Sequence, residues 1–247
     1  MKDNFSAQAK KYAQNRPQYP DALIDYVSSF ASEKKKALDL ATGNGQVAQK
    51  LALHFDEVFA TDISQNQLDN AFKSENITYK LEQAENTGFE DNAFDLVTVA
   101  QAVHWFDFRI FYKELYRILK PEGIFAILGY GLFTTNPRAD KVIRHFYYDI
   151  VGPYWDAERR YVDENYQTIP FPFKEIETIP WANDFVWTID QLLGYLESWS
   201  ATQHYLRKTG INPVDLIRCE LSLVWEASDK KVNFPILLRI GRPYTKF

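Results

Sequence analysis

The stretch Ala37-Leu38-Asp39-Leu40-Ala41-Thr42-Gly43-Asn44-Gly45 narrows what this chain can fold into more than any other. A short apolar run, interrupted by one carboxylate, enters a loop with two closely spaced glycines. A helical pattern follows over 46–54. Strand, glycine loop and helix in that order sit at the head of a parallel sheet, where the loop backbone can approach a ligand. A second apolar run, Val58-Phe59-Ala60-Thr61, ends at Asp62, and a carboxylate there can hold both hydroxyls of a ribose. The pair of features predicts an adenosine-bearing ligand.

The rhythm continues beyond the loop. Strands are expected at 37–40, 57–61, 77–81, 94–100 and 123–129, with helices at 46–54, 64–73 and 107–119, which is the alternation of a parallel α/β sheet. The run Leu96-Val97-Thr98-Val99-Ala100 reads as a central strand buried on both faces. Upstream, Asp21 can cap a helix over 22–30. Downstream the alternation stops. Asn136-Pro137 can open a helix to about 150, and 151–173 reads as irregular. Short strands are expected near 174–179 and 183–187, helices near 189–199 and 213–226, and a closing strand over 232–240. Pro235 in that strand suits an edge or a bulge. One domain over 1–247 accounts for the pattern, with a core at 36–130, an N-terminal arm at 1–30, and a lid plus completion of the sheet at 131–247.

Composition excludes several classes. A net charge of −5 offers no basic stripe, which argues against nucleic acid as a partner. The chain holds 1 cysteine, Cys219, so no internal disulfide can form, as suits a reducing compartment. The start, Met1-Lys2-Asp3-Asn4, lacks an apolar leader and no run approaches a membrane span, so a cytoplasmic location is expected. The 4 histidines are scattered and no metal-binding spacing is visible. Aromatic residues make up 16% of the chain, many of them in 144–187, which suggests an apolar cavity hung on the sheet.

Gly43-Asn44-Gly45-Gln46-Val47-Ala48 satisfies the loose dinucleotide pattern, but Asp39 at the strand end would repel a pyrophosphate and attract an ammonium or sulfonium group. Taken with the turn at Arg117-Ile118-Leu119-Lys120-Pro121-Glu122-Gly123 and the segment Ala84-Glu85 followed by 89–97, the region 36–130 resembles the class I S-adenosylmethionine-dependent methyltransferases. The arm, with Tyr12, Arg16-Pro17 and Tyr19-Pro20, and the segment Gln101-Ala102-Val103-His104-Trp105-Phe106-Asp107 are similar to small-molecule methyltransferases of the trans-aconitate methyltransferase kind. Ala41 departs from the pattern, which usually has glycine there.

The resemblance implies an α/β, doubly wound, mostly parallel seven-stranded Rossmann-like sheet with a helical lid, and S-adenosyl-L-methionine as cofactor. It implies that the backbone of Ala41, Thr42, Gly43, Asn44 and Gly45 approaches the methionine moiety and that Asp39 favours its ammonium. Asp62 would take the ribose, Ile63 an adenine face, and Ala84 with Glu85 the adenine edge. Gln101 and Val103 would line the site near the sulfonium, while Tyr12, Arg16 and Tyr19 close over it. His104 is the candidate base, with a cavity wall as its alternative role. Trp105, Tyr147, Tyr148, Tyr154, Trp155 and Trp199 are candidates for an acceptor pocket, with Arg138, Arg144 or Arg207 as counter-charge to an acidic acceptor. The expected activity is methyl transfer to a small molecule, possible as O-methylation of a carboxylic acid. An NAD(P)-dependent oxidoreductase and a catalytically silent cofactor-binding protein stay open as alternatives.

Overall fold

Strands β1 (Lys36–Leu40), β2 (Glu57–Asp62), β3 (Ile77–Leu81), β4 (Phe94–Ala100) and β5 (Leu119–Tyr130) lie parallel in the order β3-β2-β1-β4-β5 in the computed structural model, which describes residues 17–244. Strand β8 (Lys231–Arg242) adds antiparallel to β5, and its far edge takes β7 (Trp181–Val186) and β6 (Lys174–Ile176) one after the other. The 8 strands thus occupy seven positions, the outermost being divided between β6 and β7 around Pro180. Nine helices accompany them among the described residues. These are α1 (Asp21–Ser29), α2 (Gln46–Leu51), α3 (Gln65–Asp69), α4 (Phe108–Ile118), α5 (Pro137–His145), α6 (Arg160–Asp163), α7 (Ile189–Glu197), α8 (Ser200–Thr209) and α9 (Arg218–Glu226).

The strand period of two sorts the central residues onto two buried faces. Ala37, Leu96, Ile124, Ala126 and Leu128 pack on the side of α1 and α2. Leu38, Leu40, Val97, Val99, Phe125 and Ile127 pack on the side of α4. Both faces being covered, the strands read as unbroken apolar runs. Helix α4 is capped by Asp107, whose carboxylate accepts from the backbone N–H of Arg109 and Ile110 at 3.0 and 3.1 Å.

Several boundaries differ from expectation for visible reasons. Strand β5 starts at Leu119, so Pro121-Glu122-Gly123 lies inside it as a bulge between the pairs Phe94–Leu119 and Leu96–Ile124. At Gly123 a Cβ would stand 2.7 Å from Leu119 Cδ1, so a larger residue there would displace that side chain. The helix expected to run to 150 changes to a π-helical turn at Phe146–Ile150. Helix α8 was not expected at all: its sequence is polar, only Ala201 and Thr202 of it are buried, and it is held by its neighbours and stopped by Gly210 at φ 75°. Pro235 lies in a strand with partners on both sides, not at an edge. Its carbonyl accepts from Gly131 just past the last β5 pair, so the N–H it lacks faces a side where that ladder has ended.

Candidate cofactor and acceptor site

The carboxyl ends of β1, β2 and β4 converge on the glycine loop. Asp39 projects to the α2 face and is 1% exposed. It accepts from the Thr98 hydroxyl of β4 at 2.7 Å, from the Thr42 hydroxyl at 2.5 Å, and from the Ala48 N–H of α2. Burial nevertheless outweighs those donors, aided by the charge of Asp62, and pushes its carboxyl up to about 6. The loop then takes three left-handed residues, Ala41 (φ 53°), Gly43 (φ 57°) and Gly45 (φ 82°). At Gly43 a Cβ would meet nothing within 4 Å among the described residues. At Gly45 a Cβ would stand 2.2 Å from the Tyr79 hydroxyl, so the β3 tyrosine props the loop from beneath and only glycine fits. Ala41 adopts a conformation that costs an L-residue roughly 1 kcal/mol.

Asp62 receives Gly43 N–H on one oxygen and Ser64 N–H on the other, both at 2.9 Å. Those bonds tie the end of β2 to the glycine loop. Ser64 caps α3 in turn. Ile63 is half-buried beside it, and Ala84 is 3% exposed. Glu85 accepts from the Asp107 N–H at 3.2 Å and shares with His104, Trp105 and Tyr161 the wall of a cavity of about 570 Å³.

Beyond β4 the chain passes through Gln101 at φ 55°. Its side-chain amide spans to β5, accepting from Tyr130 N–H at 2.9 Å and donating to Tyr130 O at 3.2 Å. Val103 is fully buried. His104 is 6% exposed, its Nδ1 lies 3.2 Å from the Tyr166 hydroxyl, and its ring leans on Trp105 at 5.0 Å. Burial first, and the charge of Arg159 second, drive the imidazole down to about 3. Tyr166 reaches that position through two successive left-handed residues, Asn165 (φ 53°) and Tyr166 itself (φ 59°).

Over this edge the segment between β5 and β8 builds an aromatic wall. Tyr147, delivered by the π-helical turn, meets Trp155 at 5.0 Å and Trp199 at 5.4 Å, and Trp155 meets Trp199 at 5.6 Å. The Arg159 guanidinium lies against Trp155 at 4.8 Å and donates through Nε to the Tyr147 hydroxyl at 2.8 Å. That hydroxyl donates to Asp163, whose Oδ1 is 3.4 Å from Arg159 Nε.

The comparisons with known proteins agree with this edge. A family model described as a methyltransferase domain matches residues 38–127, the interval that supplies β1 to β5 and the loop. A Dictyostelium discoideum protein named as a methyltransferase is 32% identical, over 97% of this chain and 95% of its own length. The chain is an S-adenosylmethionine-dependent methyltransferase. A solved structure described as a type II methyltransferase from Anaeromyxobacter dehalogenans superposes with a TM-score of 0.84 at 36% identity, covering 93% of this chain and 99% of that one. A Saccharomyces cerevisiae protein named for S-adenosylmethionine-dependent methyl transfer is 24% identical over 94% of this chain and 93% of its own.

The site residues of the methyltransferase suit that cofactor on their own chemistry. Two carboxylates and an open backbone loop can take an ammonium and ribose hydroxyls. Among the described residues no cation is bonded into the glycine loop to receive a pyrophosphate. Membership in the family settles the choice against an oxidoreductase.

Of the acceptor candidates, Tyr147, Trp155 and Trp199 come together. Tyr148 is 57% exposed on the outside, and Tyr154 turns instead to Tyr205 at 4.9 Å. Tyr19 is buried 6.0 Å from Tyr130, whereas Tyr12 and Arg16 lie outside the described residues. Arg138, Arg144 and Arg207 are all exposed, and the arginine held within the aromatic wall is Arg159. Sequence reasoning also missed Thr98, Tyr79, Tyr166 and Asp163. Thr98 carried a signal, being the one polar residue of a run that is otherwise apolar. The others had none, since each is brought in by packing of distant segments.

Proposed function

We propose that the methyltransferase acts on a small molecule and methylates an oxygen that is already ionised, a carboxylate being the class favoured. The supporting observation is His104. Its imidazole, buried and facing the charge of Arg159, is neutral at physiological pH and too weak a base to draw a proton from a phenol or an ammonium. A carboxylate needs no such help. The aromatic wall of Tyr147, Trp155 and Trp199 fits a compact acceptor taken out of water, in keeping with a site that works by alignment and exclusion.

S-adenosylmethionine, when bound, supplies a methyl group on a sulfonium that leaves as a neutral thioether. The protein's part is to hold and screen. Asp62 would take the ribose hydroxyls, and Asp39 would favour the ammonium. Ile63, Ala84 and Glu85 would border the adenine, with Gln101 and Val103 forming the floor near the acceptor and Tyr19 the cover. His104 then serves as a wall that Tyr166 orients. Transfer of radiolabelled methyl to a panel of small acids, phenols and amines tests this reading. Acids should be the preferred acceptors, and His104→Gln should keep most of the turnover. Near-complete loss of turnover with adenosylhomocysteine still bound would assign His104 the base role and overturn the reading.

A further inference from the structure

Arg159 is a strange residue to place inside an aromatic wall. Its side chain is only 18% exposed, and taking a guanidinium out of water is costly unless its donors are used. Nε is used, on the Tyr147 hydroxyl, and one face is used, on Trp155. Among the described residues neither Nη nitrogen has a hydrogen-bond partner in the protein. Asp163 offsets part of the charge from the Nε side and is itself 40% exposed and engaged by Tyr147. The group is therefore pinned along one edge and one face, with its Nη fork left over. Its charge is felt at His104, in the short turn Val103–Trp105 that follows β4.

The scaffold around it is built for that position. Tyr147 comes from a π-helical turn, a local irregularity that recurs at functional sites. Tyr166, itself left-handed after the left-handed Asn165, sets its hydroxyl 3.2 Å from Nδ1 of His104, whose imidazole feels the charge of Arg159. Surface arginines are not organised this way: Arg138, Arg144 and Arg207 are exposed.

We propose that Arg159 is the specificity-determining residue for the acceptor, taking an anionic group of it on the two Nη nitrogens, and that this group is distinct from the oxygen that is methylated. An oxyanion clamped by a guanidinium has its lone pairs engaged and its charge offset, which makes it a poor nucleophile. The acceptor thus carries a held anion and a separate reacting group. In the transfer, a lone pair of the reacting oxygen forms the bond to the methyl carbon as the carbon–sulfur bond breaks and its pair returns to sulfur. The held anion keeps its charge throughout. This inference deepens the small-acid reading and rests on it for the location of the pocket.

The test uses the full chain complexed with adenosylhomocysteine, titrated calorimetrically with aliphatic and aromatic dicarboxylates and with their neutral diamides. Wild type should prefer the acids. Arg159→Met, which keeps the bulk against Trp155, should weaken acid binding on the order of 100-fold while leaving the diamides and adenosylhomocysteine unchanged. Arg159→Lys should recover part of the preference by charge without the fork. If Arg159→Met keeps the full acid preference, or if wild type shows none, the proposal is overturned. The two readings fail separately. Turnover of uncharged phenols or amines without regard to Arg159 would sink this assignment and keep a small-molecule enzyme. Arg159-dependent acid binding with no methyl transfer to any small molecule would keep the assignment and sink that activity.

Discussion

The two sides of the site are made of different material. On the proposed cofactor side, between β1 and β4, the parts are mostly backbone, left-handed loop residues and N–H groups, joined by two carboxylates near strand ends. On the proposed acceptor side they are side chains: three rings and one pinned guanidinium from the segment between β5 and β8, and one buried imidazole from the turn after β4. A surface formed by backbone presents the same groups whatever the neighbouring side chains are, which suits a ligand that stays the same. A surface formed by side chains can be changed one residue at a time, which suits a ligand that has to be chosen.

If that contrast is right, the cofactor side should break hardest where the backbone is filled. Gly45→Val places a branched side chain at φ 82° against the Tyr79 hydroxyl, and a cost of about 3 kcal/mol or more is expected, lowering the melting temperature by about 10 °C. Adding Tyr79→Phe should recover part of it. A Gly45→Val protein with unchanged melting temperature would deny the loop its rigidity. Next, Asp62→Ala strips the Gly43 and Ser64 N–H groups of their acceptor along with the proposed ribose contact. Calorimetry should record adenosylhomocysteine affinity reduced roughly 100-fold.

On the acceptor side, His104 should matter to stability more than to rate. The imidazole falls from its ordinary 6.5 to about 3 in the folded chain, so between those values the unfolded state binds the extra proton and stability declines as pH falls below 6.5. At pH 4.5 the burden is about 3 kcal/mol, and His104→Gln should move the acid-unfolding midpoint to lower pH by removing it. An unmoved midpoint would mean that the ring is hydrated.

The smallest effect sharpens the cofactor side. With Asp39 at about 6 in the free protein, adenosylmethionine affinity measured over pH 5 to 8 should weaken as pH drops below 6, because protonation removes the charge that attracts the ammonium. The same raised value has the opposite sign for the free fold: between about 4 and 6 the native state holds the extra proton, so Asp39 loses stability as pH rises through that window. A flat affinity profile would place the ammonium elsewhere.

Legibility in the sequence followed the same division. The glycine loop after β1, the places of Asp39 and Asp62 near strand ends and the strand run 94–100 could be read because each depends on residues adjacent in the chain. Thr98 could have been paired with Asp39 from its polarity inside that run, yet its partner is set by sheet order. Helix α8, whose buried contribution is small, escaped because tertiary support outweighs a weak local pattern. The three exposed arginines were indistinguishable from Arg159 in sequence, since burial is a property of what folds over a residue.

The amino-acid order alone specified a parallel α/β sheet with a glycine loop and two carboxylates near its strand ends, because those features are local. Which ring meets which, that Arg159 and not another arginine enters the wall, and that His104 is held neutral were decided by tertiary packing. Segments far apart in the chain must close over those groups before their charge and desolvation acquire any value.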